Sequence, residues 1–352
     1  MNINEIQLWK NDIEEVITSL PELEKFLGQS ILITGSTGLI CSSVVDVLIH
    51  WNERNHDKIN ILVAGRDKNK IISRYSQYIE NPWFSIIPYN ASNANNSLPT
   101  KIDYIIHGAS NASPNHIVDE PVETMLSNFL GTRELLEYCR INHTKRFLFI
   151  SSSEVYGKKS DLHPSKEDEY GGIDILKSRS SYSVGKCASE TLCASYYDEY
   201  GVESSIIRPG HIYGPTAMVS DNRVSSAWAY NVAKGENIVM KSNGSQIRSY
   251  CYCLDSASAI LQVLLKGESV KAYNISNPES VISIKQMAEL LVKSANVKLE
   301  FEIPTEFEKK GFNPMSNSSL DSTELQALGW KGLFNAERGF SHTVEILRQL
   351  QS

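Results

Sequence analysis

The pattern of apolar positions begins with a short run that ends in glycine. Residues 31–35 read Ile-Leu-Ile-Thr-Gly, which is typical of a buried strand that leads into a tight turn. The next apolar positions have helical spacing, at Leu39, Val44, Val45, Val47 and Leu48. Further apolar runs occur at 59–64, 84–88, 104–108, 146–151 and 203–208. Short strands that alternate with helices predict an α/β fold, a Rossmann-type doubly wound parallel sheet.

The same pattern divides the chain into three predicted parts. Residues 1–28 are polar and acidic with helical spacing, and we expect a helical extension that caps the sheet or serves as a docking helix. Residues 29–210 hold the alternating strands and helices. Residues 211–352, where the alternation loosens, are predicted to form mainly a smaller C-terminal lobe, with some segments returning to the first domain. Ligands of such sheets bind at the carboxyl ends of the strands, which that lobe would cover.

Composition and charge exclude several classes of protein. With 41% hydrophobic and 21% charged residues, the chain is neither disordered nor fibrous. A net charge of −7 gives no reason to expect nucleic acid or an anionic membrane as partner. No segment approaches the roughly 18 consecutive apolar residues of a membrane span. The six cysteines lack Cys-x-x-Cys pairs and histidines at zinc spacing, so we expect reduced thiols in a cytoplasmic protein, and no metal site.

The glycine turn is a candidate phosphate-binding loop. Gly35 allows the turn, and Gly38 allows the backbone to approach a pyrophosphate at the N-terminus of the following helix. Cys41 replaces the third glycine of the usual pattern, which predicts a slightly wider spacing of helix and strand. The next strand ends in Gly-Arg-Asp rather than in a single acidic residue. Arg66 could accept the 2′-phosphate of NADP or stack on adenine, and Asp67 could bind the ribose of NAD.

A Tyr-x-x-x-Lys spacing is the clearest sign of chemistry. Tyr182 and Lys186 lie on one face of a predicted helix, where the ammonium is expected to lower the pKa of the phenol. The phenolate could then take a hydroxyl proton while hydride leaves the same carbon for an oxidised nicotinamide. Ser152 and Glu154 follow a predicted strand, where the serine could bind the substrate hydroxyl or only cap the next element. Together these residues predict alcohol oxidation on a nucleotide cofactor.

As a set, the motifs resemble the extended short-chain dehydrogenases/reductases, in particular the NAD-dependent epimerase/dehydratase family that modifies nucleotide-diphosphate sugars. The resemblance covers roughly residues 29–348. Besides the glycine turn and Tyr-x-x-x-Lys, it includes His107-Gly-Ala-Ser, Ser151-Ser-Ser-Glu-Val-Tyr-Gly157, Arg208-Pro-Gly-His-Ile-Tyr-Gly-Pro, Gly244-Ser-Gln-Ile-Arg248 and Leu328-Gly-Trp330. Members of the family oxidise the 4-hydroxyl of the sugar to a ketone. The resemblance therefore implies NAD as cofactor, with NADP possible because of Arg66, and a UDP-sugar as the favoured substrate.

The resemblance also implies a role for each candidate site residue. The catalytic residues would be Ser152, Glu154, Tyr182 and Lys186. The cofactor contacts would be Gly35, Thr37, Gly38, Leu39, Ile40, Arg66, Asn90, Ala91, Ala109, Ser110, Tyr182, Lys186 and Pro209. The substrate contacts would be Ser153, Arg179, His211, Arg223 and Arg248.

Within the family, the residues around Ser152 resemble those of UDP-glucuronate decarboxylases most. Ser153 replaces the acidic residue that dehydratases carry, and Glu154 is a carboxylate that simple epimerases lack. The Ala-Ser-Pro-rich stretch at 109–114 and Arg179 also have counterparts in the decarboxylases. The resemblance therefore implies a decarboxylase. A 4-epimerase or a 4,6-dehydratase is the alternative, and a non-catalytic cofactor-binding regulator is a more remote one.

Two positions depart from the decarboxylase pattern. His211 stands where the family often has an asparagine against the substrate or its diphosphate, and Thr216 stands where decarboxylases usually have arginine. Arg248 is expected to clamp the diphosphate in preference to sensing a sugar carboxylate. The resemblance further implies a homodimer joined through a four-helix bundle that contains the Tyr-Lys helix. It also implies a cytoplasmic role in supplying activated sugars for a surface polysaccharide.

Overall fold

The computed structural model of the chain describes residues 2–93, 95–112, 114–159, 162–295, 297–303 and 315–351, without the side chains of 114–116. Strands β1 to β13 are Ser30–Thr34, Asn60–Gly65, Phe84–Pro88, Tyr104–His107, Arg146–Ile150, Ser204–Pro209, His211–Tyr213, Ile238–Met240, Ile247–Tyr252, Lys271–Ile275, Val281–Ser283, Leu299–Phe301 and Asn317–Ser318. Helices α1 to α11 are Gln7–Ser19, Leu39–Arg54, Lys68–Tyr75, Pro114–Asp119, Pro121–Asn142, Ser181–Tyr200, Val224–Ala233, Cys253–Lys266, Ile284–Lys293, Thr323–Ala327 and Ala336–Gln351.

Seven parallel strands form the central sheet, in the order β10-β6-β5-β4-β1-β2-β3. β1 pairs with β2 on one side and β4 on the other, so that Ile33 lies between Val63 and Ile106. Parallel pairing continues through β5 and β6 to β10 at one edge, and through β2 to β3 at the other. The predicted α/β fold with a doubly wound parallel sheet is confirmed. The five strands predicted after β1 coincide with β2 to β6 to within one residue at each end.

Helices cover both faces of this sheet, which explains why its strands are continuous apolar runs. Ile31 and Ile33 of β1 belong to one hydrophobic cluster with side chains of α1, α2 and α8. Leu32 points to the opposite face and belongs to a second cluster with side chains of α5 and α6. All three residues are fully buried. A strand buried on both faces has no position for a polar side chain, so periodicity of two is absent from the sequence.

The N-terminal segment packs into the core of the molecule. Trp9 and Val16 of α1 are fully buried against α2, α8 and α11. Trp9 Nε1 donates a hydrogen bond to Asp46 of α2 at 3.2 Å. Asp12 of α1 accepts one from the Tyr252 hydroxyl at 3.2 Å. The segment thus contacts both α2, which covers the central sheet, and the C-terminal lobe. The division of the chain into three domains stays a prediction.

The C-terminal lobe is built around β9. This strand pairs with β7 and β13 in parallel and with β11 in antiparallel orientation, while β8 and β12 form a separate parallel pair. The lobe contacts the start of α2, because the Thr216 hydroxyl donates to the carbonyl oxygen of Leu39 at 2.9 Å. The small sheet is therefore held beside the carboxyl edge of the central sheet.

Three further features bear on the expectations from composition. No helix in the described part of the chain combines the length and apolarity needed to cross a bilayer. Among the described side chains, no group of three or more His, Cys, Asp or Glu could hold a metal ion. All six cysteines are free, and five of them are buried. The cysteines therefore contribute to packing and not to covalent cross-links.

Candidate active site

The loop between β1 and α2 forms a cradle at the carboxyl edge of the sheet. Gly35 has a φ of +71°, and a Cβ atom there would lie 2.8 Å from the carbonyl oxygen of Gly108. Gly38 is the N-cap residue of α2 and provides no side-chain cap for the first N–H groups of the helix. Uncapped N–H groups at a helix N-terminus favour a phosphate. The loop therefore fits the pyrophosphate of a dinucleotide.

Cys41, in place of the usual third glycine, packs against Gly108. A Cβ atom on Gly108 would lie 2.3 Å from Cys41 Sγ, so the sulfur fills space that this glycine leaves open. Burial raises the pKa of the Cys41 thiol to about 12. The glycine of the His-Gly-Ala-Ser motif thus compensates for the missing glycine of the turn, a relation that the sequence alone does not indicate.

Arg66 and Asp67, the residues in doubt for cofactor choice, both have partners in the structure. Arg66 Nη2 donates to Asn111 Oδ1 at 3.2 Å, which links the end of β2 to the loop after β4. The Asp67 carboxylate caps α3 by accepting a hydrogen bond from Lys70 N at 3.0 Å. Asn111 is buried. Asp67 therefore has a structural role that the strand-end pattern did not suggest.

The other predicted cofactor contacts lie at the ends of neighbouring strands. Ala109 N donates to Thr34 Oγ1 at 3.1 Å, and Ser110 Oγ is buried with no hydrogen-bond partner among the described residues. Asn90 follows β3, and its Oδ1 accepts from Ser92 N at 3.1 Å. The remaining positions are Thr37 in the glycine loop, Leu39 and Ile40 in the first turn of α2, Ala91, and Pro209 at the end of β6. The structure brings all of them to the same edge of the sheet. Of the 109–114 stretch, residue 113 lies outside the described residues.

The predicted catalytic side chains meet where β5 ends beside α6. Ser152 is the N-cap of a short 3-10 helix, and its Oγ accepts a hydrogen bond from Glu154 N at 3.2 Å. The Ser152 hydroxyl also interacts with Tyr182 and thereby lowers the pKa of the phenol. Tyr182 and Lys186 are both buried on α6. Ser152 therefore caps the next element, and its predicted contact with the substrate hydroxyl stays a prediction.

The pKa of Tyr182 differs in direction from the expectation. Burial, followed by the charge of Glu154, raises the pKa of Tyr182 to about 12. Lys186 Nζ lies 5.7 Å from the centre of the Tyr182 ring and donates to the carbonyl oxygen of Ile150 at 2.7 Å. Burial lowers the pKa of Lys186 itself to about 7. Burial therefore outweighs any lowering of the phenol's pKa by Lys186, whose ammonium is directed at the backbone. The expectation that Lys186 and an oxidised nicotinamide together bring the phenol closer to ionisation stays a prediction.

Arg179 lies beside the predicted catalytic residues and is bound to Glu154. Its guanidinium makes two hydrogen bonds to the Glu154 carboxylate, at 2.9 and 3.0 Å. Both charges act on Tyr182: Glu154 raises the pKa of the phenol and Arg179 lowers it. Ser153 lies between Ser152 and Glu154, in the first turn of the 3-10 helix. The structure thus joins a carboxylate and its arginine partner to the Ser-Tyr-Lys set.

Two predicted substrate contacts share one face of the small sheet. His211 of β7 lies in register with Tyr250 of β9, with 5.8 Å between the ring centres. Arg248 comes two residues before Tyr250 and so projects to the same face. Arg248 is 3% exposed and donates to the carbonyl oxygens of Ile247 and Met315, at 2.8 and 3.1 Å. Burial lowers the pKa of this guanidinium, which has carbonyl groups as its hydrogen-bond partners.

Arg223 connects the catalytic cluster with the small sheet. It is the N-cap residue of α7, and its Nη2 donates to Asp221 Oδ2 at 2.5 Å. Its charge lowers the pKa of both Tyr182 and His211. Asp221 also accepts from the Ser226 hydroxyl at 3.0 Å and so fixes the arginine. Asp221 was not predicted as a site residue, although the sequence Asp-Asn-Arg directly before a helix places an acidic residue close to Arg223.

A cavity of about 830 Å³ lies against another face of α6 than the one that carries Tyr182 and Lys186. Its lining includes Cys187, Glu190 and Arg208 but none of the predicted catalytic residues. Arg208 Nη2 is bound to Glu190 at 2.7 Å, so these two charges neutralise each other. The candidate active site is therefore the region that runs from Tyr182 through Arg223 to His211 and Arg248, called the groove below, and not this cavity.

The geometry agrees with a family match that spans most of the chain. The family described as NAD dependent epimerase/dehydratase matches residues 31–276. The chain belongs to this family. Membership accounts for the Ser152, Tyr182 and Lys186 set beside a dinucleotide cradle, and it makes the chain an NAD-dependent enzyme by family.

Curated relatives in this family align over nearly the whole chain. The chain is 30% identical to UDP-glucuronic acid decarboxylase 5 of Arabidopsis thaliana, over 90% of this chain and 89% of the relative. It is 27% identical to UDP-glucuronic acid decarboxylase 1 of Xenopus tropicalis, over 97% of this chain and 82% of the relative.

Solved structures show the fold of the family in the same way. UDP-glucose 4-epimerase of Thermotoga maritima, solved with UDP-glucose, superposes with a TM-score of 0.77 at 23% identity, over 92% of this chain and 100% of that one. A dTDP-glucose 4,6-dehydratase of Bacillus anthracis, solved with NAD, gives a TM-score of 0.74 at 18% identity, over 91% and 97%. At these identities the likeness concerns the fold alone.

Proposed function

We propose that the chain is an NAD-dependent UDP-glucuronate decarboxylase that acts through a 4-keto intermediate. The observation that carries this proposal is the Glu154 carboxylate, held by Arg179 next to Tyr182 and Ser152. A 4-epimerase needs no carboxylate at that point, because nothing changes at carbon 5. The alignment with curated UDP-glucuronic acid decarboxylases over 90% of the chain supports the same substrate.

The first step is oxidation at carbon 4 of the sugar. Tyr182 takes the proton of the 4-hydroxyl, and Ser152 donates a hydrogen bond to the oxygen that becomes the ketone. NAD, when bound in the cradle at the start of α2, supplies a reversible hydride acceptor and a positive charge beside the phenol. That charge opposes the burial that holds the pKa of Tyr182 at about 12.

The second step is loss of carbon dioxide. A 4-ketone lies β to the carboxylate at carbon 6, so the bond between carbons 5 and 6 can break with its electron pair passing into the ketone. Ser152 and Tyr182 hydrogen-bond the resulting enolate oxygen, and carbon 5 then takes up a proton. Glu154 controls that proton, and Arg179 offsets the two negative charges that meet when a sugar carboxylate enters beside Glu154. Net oxidation is zero once hydride returns to carbon 4.

The test compares Glu154→Gln with the unchanged protein. We expect UDP-glucuronate and NAD to give a product lighter by one carbon dioxide, with no net reduced cofactor, and Glu154→Gln to lower kcat by roughly 10²–10⁴-fold. The variant should still form the 4-ketone, visible as reduced nicotinamide in a single turnover. Glu22→Gln, which changes a half-buried glutamate bound to Lys25 and Lys266, is the matched control.

Each other outcome assigns a different reaction. A product of unchanged mass with inverted carbon 4, and full activity in Glu154→Gln, would make the protein a 4-epimerase. Loss of water would make it a dehydratase, despite Ser153 at the position of the acid. A protein that binds NAD and shows no turnover on any nucleotide sugar would be a non-catalytic cofactor-binding protein.

NAD is the proposed working cofactor, with NADP accepted less well. Arg66 has donors beyond the one that binds Asn111, and these could reach a 2′-phosphate. The Asp67 carboxylate already caps α3, so it is not proposed as a ligand of the ribose. Comparison of kcat/KM for the two cofactors in the unchanged protein and in Arg66→Ala tests this. A preference for NADP that disappears in the variant would reverse the assignment.

A homodimer through α5 and α6 is also part of the proposal. These helices pack side by side, and α5 exposes Val122, Met125 and Leu126, with Tyr197 and Tyr200 exposed on α6. Pairing of two copies would bury this apolar surface in a four-helix bundle. Light scattering of the unchanged protein and of Leu126→Glu tests the dimer, and a monomeric unchanged protein would contradict it. The six free cysteines favour a cytoplasmic location for the same enzyme.

A further inference from the structure

The groove contains a histidine, His211, beside a buried arginine, Arg248, that has no anionic partner among the described residues. His211 of β7 stands in register with Tyr250, on the face of the small sheet that also carries Arg248. The Nδ1 atom of His211 is buried and has no hydrogen-bond partner among the described residues. A buried ring nitrogen without a hydrogen-bond partner costs free energy. A ligand that hydrogen-bonds this nitrogen would remove that cost.

The charges that face His211 come from two elements. Arg248 on β9 is nearly fully buried and is held by backbone carbonyl oxygens. Arg223, at the start of α7, is neutralised by Asp221. Tyr250 contacts the ring from the side. Burial, with the two positive charges, lowers the pKa of His211 to about 3, so the imidazole is neutral at pH 7.

An anion placed between Arg248 and His211 reverses this electrostatic balance. It would neutralise Arg248, which is a buried cation that needs a counter-charge. It would also favour the charged form of the imidazole, because opposite charges at short distance raise the pKa of a histidine. The diphosphate of a nucleotide sugar carries two negative charges, one more than Arg248 offsets.

We propose that His211 takes up a proton when the diphosphate of a nucleotide sugar binds, so that imidazolium and Arg248 hold it together. The choice of a nucleotide diphosphate as the anion rests on the proposed function. The protonation itself rests on the geometry of His211 and Arg248. His211 is thus a substrate-binding residue that makes the affinity of this enzyme depend on pH.

The direction of the pH dependence follows from proton uptake. A proton is gained on binding at any pH between the pKa of His211 in the free protein, about 3, and its higher pKa in the complex. Across that window affinity falls as pH rises, because one reactant is a proton. Lys186, with a pKa lowered to about 7, also titrates in the groove, so the uptake must be assigned by substitution at His211.

The experiment is calorimetric titration of UDP-glucose into the NAD-loaded Tyr182→Phe protein, which binds without turnover. Both phosphoryl groups of UDP-glucose are diesters, so the ligand does not ionise between pH 5.5 and 7.5. Titration in two buffers of different ionisation enthalpy gives the number of protons taken up. We expect uptake of a fraction of a proton at pH 6, and binding about three- to tenfold tighter at pH 5.5 than at pH 7.5.

His211→Asn, in the same Tyr182→Phe background, is the matched control. It keeps a hydrogen-bonding side chain and removes the titrating group. We expect binding at pH 7.5 within about threefold of the parent and no proton uptake that depends on this site. His211→Gln serves as the second variant if the asparagine protein does not fold, as judged by its thermal unfolding.

Three results would overturn the proposal. Uptake that persists unchanged in His211→Asn would assign the proton to another group, such as Lys186. Normal binding without any uptake would remove the coupling and leave the proposed function intact. Absence of binding by both UDP-glucose and UDP-glucuronate would instead remove the substrate class, and with it both proposals.

Discussion

Buried charges are arranged differently beneath α2 and in the catalytic groove. Asp46 of α2 is fully buried and is bound by Arg74 and by the indole N–H of Trp9. In the groove, Lys186 and Arg248 are equally buried, yet their hydrogen bonds among the described residues go to backbone carbonyl oxygens. Beneath α2 each charge is compensated within the protein. In the groove, Lys186 and Arg248 have no carboxylate partner among the described residues.

The difference separates a structural use of buried charge from a functional one. An ion pair inside a protein contributes little net stability, but loss of one partner is costly. A lone buried cation is costly from the start, and burial lowers the pKa of both Lys186, to about 7, and Arg248. Groups with strongly shifted pKa values concentrate at functional sites, where a ligand supplies the missing charge. Burial raises the pKa of Asp46 as well, but that carboxylate has Arg74 as its partner within the protein. The missing partner, and not the shifted pKa alone, makes the groove the candidate site.

The largest expected effect comes from removing the hydroxyl of one of two buried tyrosines. Tyr182 lies in the groove, and Tyr156 has partners within the protein. Tyr182→Phe should lower kcat by roughly 10³–10⁴-fold and leave thermal stability nearly unchanged, because its hydroxyl is the proposed base. Tyr156 is also buried, but its hydroxyl binds Asn274 at 2.6 Å and Arg208 at 3.1 Å. Tyr156→Phe should therefore cost about 1–2 kcal/mol of stability and leave kcat within a few-fold. Turnover numbers and urea unfolding of both variants provide the measurement.

A result in which both tyrosine variants lose activity equally would break the comparison. It would mean that the Tyr156 cluster positions the catalytic residues, or that Tyr182 is not the base. Normal turnover in Tyr182→Phe would show that a group other than Tyr182 is the base.

The sequence predicted the parts of this site that depend on local pattern. The strands, the glycine loop and the Tyr-x-x-x-Lys helix follow from runs of apolar residues and from spacings within one element. The pairing of Arg179 with Glu154 joins residues from two separate segments, and no spacing rule predicts which cation will meet which carboxylate. The pKa of Lys186 depends on burial by the whole fold, so its direction could not be obtained from the neighbouring phenol alone.

The N-terminal segment shows the same limit. Helical spacing predicted α1, but not that Asp12 would meet Tyr252 and His342 of the C-terminal lobe. Asp67 was a candidate ribose ligand on the strand-end rule, whereas the start of α3 one residue later makes it an N-cap. In both cases a tertiary contact or a helix boundary, which sequence indicates only to within a few residues, decided the role of a polar side chain.

A smaller effect is expected when an arginine is replaced by methionine, either beneath α2 or in the groove. Arg74→Met leaves Asp46 buried without its counter-charge and should cost roughly 3–5 kcal/mol. Arg248→Met removes a buried cation that has no carboxylate partner and should change stability by no more than about 1 kcal/mol, while it weakens UDP-glucose binding at least tenfold. Thermal unfolding and calorimetric titration measure the two quantities.

Equal destabilisation by the two methionine variants would show that Arg248 is a structural cation. In that case its carbonyl contacts to Ile247 and Met315, and not a ligand, would account for its burial.

The smallest expected effect concerns Asp255, a buried carboxyl group whose partners are N–H groups and not a cation. It is fully buried and accepts hydrogen bonds from Leu333 N at 2.7 Å, Phe334 N at 3.2 Å and Asn277 Nδ2 at 3.1 Å. Burial raises the pKa of this carboxyl to about 7, above its value in the unfolded chain. Its contribution to stability is thus complete below about pH 4 and is lost as pH rises through 7.

Asp255→Asn cannot ionise and should lack this loss. Relative to the parent, the variant should therefore be more stable at pH 8 than at pH 5, with a difference in the free energy of unfolding that is larger by roughly 1–3 kcal/mol. Urea unfolding of both proteins at the two pH values measures the difference, and subtraction removes the other carboxyl groups that the proteins share. A difference that does not change with pH would mean that the N–H groups around Asp255 stabilise its charge fully. Backbone dipoles would then replace a counter-ion at a buried carboxylate, and the carbonyl contacts of Lys186 and Arg248 could do the same for a cation.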